Sequence, residues 1–187
     1  FDEAESFSVM GNEEDHLRLQ VMKSGYQLEE AWSQMCPLER SLEEELQFAF
    51  HSKYGYLTAC PTNVGTGLRA SVMLHLPAMV ITGQIEEMTR AATKIHLAVR
   101  GLFGEGTEAQ GDFFQISNQR TLGLSEEQVL ENIASVLPNI IVYERKLRDE
   151  LLERRRERIE DRIGRAFGIL SHARVITSKE ALEHLSL

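Results

Sequence analysis

Apolar and polar positions alternate in two short runs near the start of the chain, residues 6–10 and 17–22. Period-two alternation predicts a pair of strands, with the polar stretch Asn12-Glu13-Glu14-Asp15-His16 between them or on them. From Gln27 to His51 the spacing changes to threes and fours through Leu28, Trp32, Met35, Leu42, Leu46 and Phe50, which predicts helix. Pro37 falls within that run and is expected to divide it into two helices. Residues 54–59 and 69–76 read as strands on either side of the loop Cys60-Pro-Thr-Asn-Val-Gly-Thr-Gly67. Pro77 can open a helix, and apolar residues recur through Ile95.

The stretch 99–111 carries Gly101, Gly104, Gly106 and Gly111 and reads as a mobile loop, with a strand following over 112–117. Ser125 and Gln128 form a capping box for a helix that can run past Pro138, with a kink there. Beyond Glu144 the chain is dense in Arg and Glu at helical spacing, such as Glu150–Arg154 and Glu153–Arg156, and Thr177 with Glu180 marks a further helix start. The fold class expected is α+β: an antiparallel sheet flanked by helices over residues 1–143, followed by a helical extension over 144–187.

Charge sharpens that division. Residues 1–144 hold 9 Lys and Arg against 21 Asp and Glu, a balance of −12, whereas residues 145–187 hold 11 against 8, a balance of +3. An acidic body argues against nonspecific nucleic-acid binding, which needs basic surface to displace counterions. Yet Arg18, Arg69, Arg100 and Arg120 each stand in or beside a Gly- or Asn-containing turn, a placement suited to a small polyanion. No apolar run approaches the roughly 18 residues of a membrane span, and no secretory signal opens the chain. Two cysteines, Cys36 and Cys60, make no disulfide framework, so a reducing, cytoplasmic location is expected. The first residues lack Met and lead straight into a strand pattern, which reads as a cropped start.

Three stretches can carry chemistry. The Cys60–Gly67 loop joins strand to strand and lacks the Gly-Lys-Ser/Thr of a phosphate-gripping loop, so taken alone it is a tight turn with a thiol at one end. If Glu13–Arg18 continues as strand, Glu14, His16 and Arg18 share one face and Glu13 and Asp15 the other. That face is either a solvated surface or one where a carboxylate and an arginine hold opposite ends of a substrate pair. Finally, Val99-Arg100-Gly101-Leu102-Phe103-Gly104-Glu105 places an arginine and a glutamate on a loop able to close over a ligand.

Taken together, Asn12-Glu-Glu-Asp-His-Leu-Arg18, Cys60-Pro-Thr-Asn-Val-Gly-Thr-Gly-Leu-Arg-Ala70, Val99-Arg-Gly-Leu-Phe-Gly-Glu105 and Ile116-Ser-Asn-Gln-Arg-Thr-Leu-Gly123 resemble, in order and spacing, the phosphagen (ATP:guanido) kinases. The resemblance implies an ATP:guanidino phosphotransferase that uses ATP, with Mg2+ held mainly through the phosphates and no metal site of protein ligands. It implies that Glu14 and Glu105 bind the guanidinium, with Glu14 the general base and Cys60 against the same group as a thiolate. It also implies Arg18, Arg69, Arg100 and Arg120 at the ATP phosphates, and His16 either at the nucleotide or structural.

The tail, Glu160-Asp-Arg-Ile-Gly-Arg-Ala-Phe-Gly-Ile-Leu170 and Thr177-Ser-Lys-Glu-Ala-Leu-Glu183, resembles the bacterial protein arginine kinases, where a helical domain serves dimerisation and protein recognition. That branch implies transfer to arginine side chains of proteins in stress response and proteolysis. Its expected partners are a stress-response repressor, Clp-type chaperone and protease components, and a second copy of the chain, with no nucleic acid and no membrane. The family also has phosphate-binding arginines upstream of the first motif. Their segment is missing here, so this chain alone is expected to bind ATP weakly or not at all. The alternatives are a kinase of small guanidines such as arginine or creatine and, from another class, an inert adaptor.

Overall fold

A computed structural model describes residues 6–102 and 109–187. The described residues of the chain are mixed α/β, and their strands sort into three small sheets. Its elements are β1 (Phe7–Gly11), β2 (Leu17–Val21), α1 (Leu28–Glu45), β3 (Phe50–His51), β4 (Gly55–Tyr56), β5 (Ser71–His75), α2 (Pro77–Ile81), α3 (Ile85–Lys94), β6 (Leu97–Gly101), β7 (Phe113–Asn118), α4 (Glu126–His172) and α5 (Ser178–Leu185). It divides into two compact units, the described part of Phe1–Val72 with Asn118–Ala134, and Met73–Ser117 with Ser135–Leu187.

In the first unit, β1 and β2 form an antiparallel hairpin in which Phe7 faces Val21 and Gly11 faces Leu17. Residues 12–16 are therefore its loop and not a strand, closed by the Asn12 amide donating to the His16 carbonyl at 2.9 Å. Helix α1 packs against β2. Pro37 does not divide it, contrary to expectation: α1 is one helix with the proline inside. The carbonyl that the proline cannot bond belongs to Ser33, an exposed residue, so water can satisfy it. Residues 54–59 supply only the two-residue strand β4, paired with β3. Val129 and Ile133 of α4 are fully buried, and a capping box starts that helix. The Ser125 amide donates to Gln128 Oε1 at 2.9 Å, and the Gln128 amide to Ser125 Oγ at 3.3 Å.

The second unit is built on the three-stranded sheet β5-β7-β6, with β7 central. Leu76, Met79, Leu97, Phe114, Ile116 and Leu137 form its core, each at 1 % exposure or less. The recurrence from Pro77 to Ile95 gives two helices, α2 and α3, because the chain turns at Thr82–Gln84. Arg100 lies on β6, not on a loop, since its neighbours Leu97, Ala98 and Val99 are buried sheet residues. Helix α4 continues through Pro138 without ending there. Its backbone departs from helical angles at Arg155 (φ −138°, ψ 30°), a break that the sequence does not predict. Its ion pairs include Lys146–Glu150, Arg156–Glu160 and Arg165–Asp161, a register other than the pairs expected.

Two polar anchors hold the helices of this unit. Glu144, 3 % exposed, accepts from the amides of Ala78 and Met79 at 3.0 Å each, capping α2 from another helix. Arg148 ties the same carboxylate at 2.7 Å and donates to the His75 carbonyl at 3.1 Å. Helix α5 is fixed by Ser186, whose hydroxyl donates to Asp112 Oδ2 at 2.6 Å and lies 2.9 Å from His75 Nε2. Here Gly111 (φ 64°) lies so close to Leu182 that a Cβ would come within 2.9 Å of the Leu182 carbonyl oxygen.

Glu144→Ala is expected to destabilise the protein by about 3 kcal/mol, because it orphans two amides and leaves Arg148 without its carboxylate. The midpoint of chemical denaturation reads this directly. A shift under 1 kcal/mol would mean that water replaces the carboxylate.

Candidate active site

The hairpin loop between β1 and β2 carries three consecutive carboxylates. Arg18, one residue into β2, turns back on them: its Nη1 is 2.9 Å from Glu13 Oε2 and its Nη2 is 3.3 Å from Glu14 Oε2. The alternation expected of a strand does not apply, because the loop lets Glu13 and Glu14 reach the same guanidinium. All three side chains keep between a third and a half of their surface in solvent. His16, whose carbonyl closes the loop, is exposed.

Asp15 does something different. Its Oδ1 accepts the Ala59 amide at 2.7 Å and the Cys60 amide at 3.4 Å, and its Oδ2 accepts Asn63 Nδ2 at 2.8 Å. One half-buried carboxylate thus fastens the Glu13–Glu14 loop to the turn that bears Cys60, across 44 residues of sequence. Burial by itself raises the Asp15 pKa. The hydrogen bonds from Asn63, Ala59 and Cys60, with the Arg18 guanidinium nearby, outweigh it and hold the carboxyl below its ordinary 3.8. Cys60 is half-buried, its Sγ 3.0 Å from Thr62 Oγ1.

Two further residues hold the glycine loop from the other side. Asn118 Oδ1 accepts the Ala70 amide at 2.9 Å, while its Nδ2 donates to the carbonyls of Leu68 and Arg120 at 3.0 Å each. A single buried amide therefore fixes the backbone on both sides of Arg69 and at Arg120. The Thr121 hydroxyl shares its proton between the carbonyls of Thr62 (3.0 Å) and Val64 (2.8 Å). Gly65, at φ 117°, allows this approach: a Cβ there would lie 2.3 Å from the Thr121 carbonyl oxygen.

Within the first unit the structure thus joins Glu14, Cys60, Arg18, Arg69 and Arg120 through one set of loops. The side chains of Arg69 and Arg120 are exposed. Arg100 belongs to the second unit. Glu105 lies outside the described residues. Asp15, Asn118 and Thr121 all fall inside the sequence motifs, but only their long-range bonds reveal what they hold.

Asp15→Asn is expected to weaken the loop tie by roughly 1 kcal/mol, since the bonds are charge-assisted but half exposed. Several-fold faster amide exchange at Ala59 and Cys60 would report it. The pH dependence has a fixed sign. Because the folded carboxyl titrates below 3.8, the tie stabilises fully above that value and is lost as pH falls through the depressed one. Wild type and Asp15→Asn should therefore differ in stability at neutral pH and converge in acid. A constant difference down to complete protonation would show that Asp15 acts by shape alone.

Comparison with known proteins places the chain in a family. The profile of the ATP:guanido phosphotransferase C-terminal catalytic domain matches residues 1–147, and that of the protein-arginine kinase McsB C-terminal domain matches residues 156–187. The chain is 54 % identical over 179 residues to a protein-arginine kinase of Caldanaerobacter subterraneus, covering 96 % of this chain and 53 % of the relative. It is 54 % identical over 182 residues to a protein-arginine kinase of Moorella thermoacetica, covering 97 % and 52 %. The chain therefore spans about half the length of these curated relatives. Among solved structures, it is similar to the duplicated taurocyamine kinase of Schistosoma mansoni with bound transition-state-analogue components, with a TM-score of 0.68 and 34 % identity over 77 % of this chain and 20 % of that one. It is also similar to a lombricine kinase, with a TM-score of 0.70 and 28 % identity over 79 % and 41 %. A catalytic-domain profile that matches residues 1–147 shows that the chain belongs to the ATP:guanido phosphotransferase family.

Proposed function

We propose that this chain is the phosphoryl-transfer part of a protein arginine kinase. The observation that carries the reading is the order of matches along the chain, a guanidino-phosphotransferase catalytic domain followed by a protein-arginine kinase C-terminal domain. In this reading Glu14 binds the substrate guanidinium, and Cys60, fastened to the same loop by Asp15, lies against it. A guanidinium keeps its proton below about pH 12 and is a poor nucleophile until that proton leaves. Glu14 accepts the proton as the guanidino nitrogen attacks the γ-phosphorus; the N–P bond forms, the bond to the bridging oxygen breaks and ADP departs. Glu105 is the second carboxylate on the guanidinium.

Arg18, Arg69, Arg100 and Arg120 offset the charge of the triphosphate, each able to make a bidentate contact. His16 lies next to this set and either contacts the nucleotide or shapes the loop. Mg2+ enters with ATP, coordinated mainly by phosphate oxygens, as a small cation that keeps much of its water. The helical extension from residue 144 contributes to dimerisation and recognition of protein substrates. Supporting this, Ile163, Phe167 and Leu170 recur at helical spacing on α4 and remain exposed. Among the described residues no helix is long and apolar enough to cross a membrane. A cytoplasmic role in stress-response proteolysis, with a repressor and Clp-type components as partners, completes the proposal.

The full-length protein should place acid-labile phosphate on arginine residues of a protein substrate in the presence of Mg-ATP. Phosphorylation of free arginine or another small guanidine without any of protein would favour the small-guanidine reading, and neither product would favour the adaptor. Glu14→Gln should abolish transfer while Mg-ATP affinity stays within about fivefold of wild type, as the loss of a surface pair allows. Turnover within tenfold of wild type would place the base elsewhere. Arg69→Ala should weaken Mg-ATP binding by about 1.5–3 kcal/mol, the cost of a charge-assisted contact. Calorimetric titration showing unchanged affinity would remove Arg69 from the phosphate site.

A further inference from the structure

The pairing of Arg18 has a consequence for the order in which ligands are accommodated. Glu14, the residue assigned to the incoming guanidinium, already touches a guanidinium belonging to the protein at 3.3 Å. Glu13 holds the same side chain more closely, at 2.9 Å. Arg18 is also one of the groups assigned to phosphate. A single side chain cannot occupy both places, and its own charge makes it a competitor for the substrate guanidinium. Its exposure of 37 %, against 50 % and 47 % for the two carboxylates, means that the pairs are weak enough to exchange.

We propose that Arg18 is an internal stand-in for the substrate, parked on Glu13 and Glu14 in the ligand-free protein and drawn off by nucleotide phosphate, so that nucleotide binding vacates Glu14 for the arginine to be phosphorylated. Glu13 is then a positioning residue: it sets how tightly Arg18 is parked and never touches the reacting atoms. The inference rests on the assignment of Glu14 to guanidinium and of Arg18 to phosphate made above. Coupling of this kind is reciprocal, so guanidinium and nucleotide must each strengthen the other's binding. Because the exchanged contacts are surface ion pairs, the enhancement should be about twofold to fivefold.

The test uses the full-length protein and a short peptide with one central arginine, its binding followed by fluorescence anisotropy with and without saturating Mg-ADP, which permits no transfer. A peptide with citrulline in place of arginine is the control. In wild type, Mg-ADP should tighten arginine-peptide binding about twofold to fivefold. In Arg18→Gln, the nucleotide-free protein should already bind the peptide that tightly, and saturating Mg-ADP should add nothing. An Mg-ADP enhancement that survives in Arg18→Gln would overturn the exchange, because a general field effect of the phosphates does not need Arg18. Unchanged peptide affinity in nucleotide-free Arg18→Gln, with Glu14→Gln still abolishing binding, would overturn the exchange and leave the Glu14 assignment standing. Peptide binding unaffected by Glu14→Gln would remove the assignment itself and the exchange with it. Should Arg18→Gln not fold, Glu13→Gln serves. It loosens the parked side chain and should strengthen Mg-ADP binding severalfold without peptide, whereas unchanged or weaker binding would contradict the proposal.

Discussion

The candidate site depends on one carboxylate that ties two loops together. Asp15 receives two backbone amides and the Asn63 side chain and so joins the hairpin loop to the turn that begins at Cys60. It is the direct hydrogen-bonded link between the Glu13–Glu14 loop and the turn that bears the thiol. The arrangement follows a general economy: loops carry reactive groups, and polar side chains with several hydrogen bonds fix those loops where there is no core to do so. Asn118 and Thr121 do the same for the far side of the glycine loop, where Gly65 alone allows the necessary approach. Glu13, Glu14, Arg69 and Arg120 stay exposed while the backbone around them is held, an arrangement suited to charged ligands.

The three acidic neighbours in the hairpin loop consequently fall into two different arrangements. Asp15 faces inward and is pinned. Glu14 and Glu13 face the solvent and share Arg18. The distinction matters chemically, because a carboxylate saturated by amide donors is a poor proton acceptor, whereas a solvated one beside an exchangeable cation remains available. The loop conformation, set by the Asn12 to His16 hydrogen bond, makes the difference.

Much of this is legible in the residues themselves. The β1 and β2 strands, the N-cap at Ser125 and the cap at Thr177 announced themselves through local chemistry, because alternation and capping depend on near neighbours. The four motifs located the candidate site. What could not be read were effects decided by distant partners. Pro37 stays inside α1 because Ser33 happens to face water, and the deviation in α4 falls at Arg155 rather than at Pro138. Arg100 proved to be a strand residue, since the glycines after it masked the buried Leu97, Ala98 and Val99 before it. Asp15 looked interchangeable with its neighbours in sequence, and only bonds spanning 44 to 48 residues set it apart.

In the reading proposed above, the Glu14 loop and the Cys60 turn, tied together by Asp15, form one guanidinium site. Protection of Cys60 tests it most directly. In the full-length protein, a saturating peptide with a single arginine should slow alkylation of Cys60 strongly, while the citrulline peptide leaves the rate unchanged. Alkylation at the same rate with and without the arginine peptide, under conditions where that peptide is shown to be bound, would place the guanidinium away from Cys60 and contradict the account.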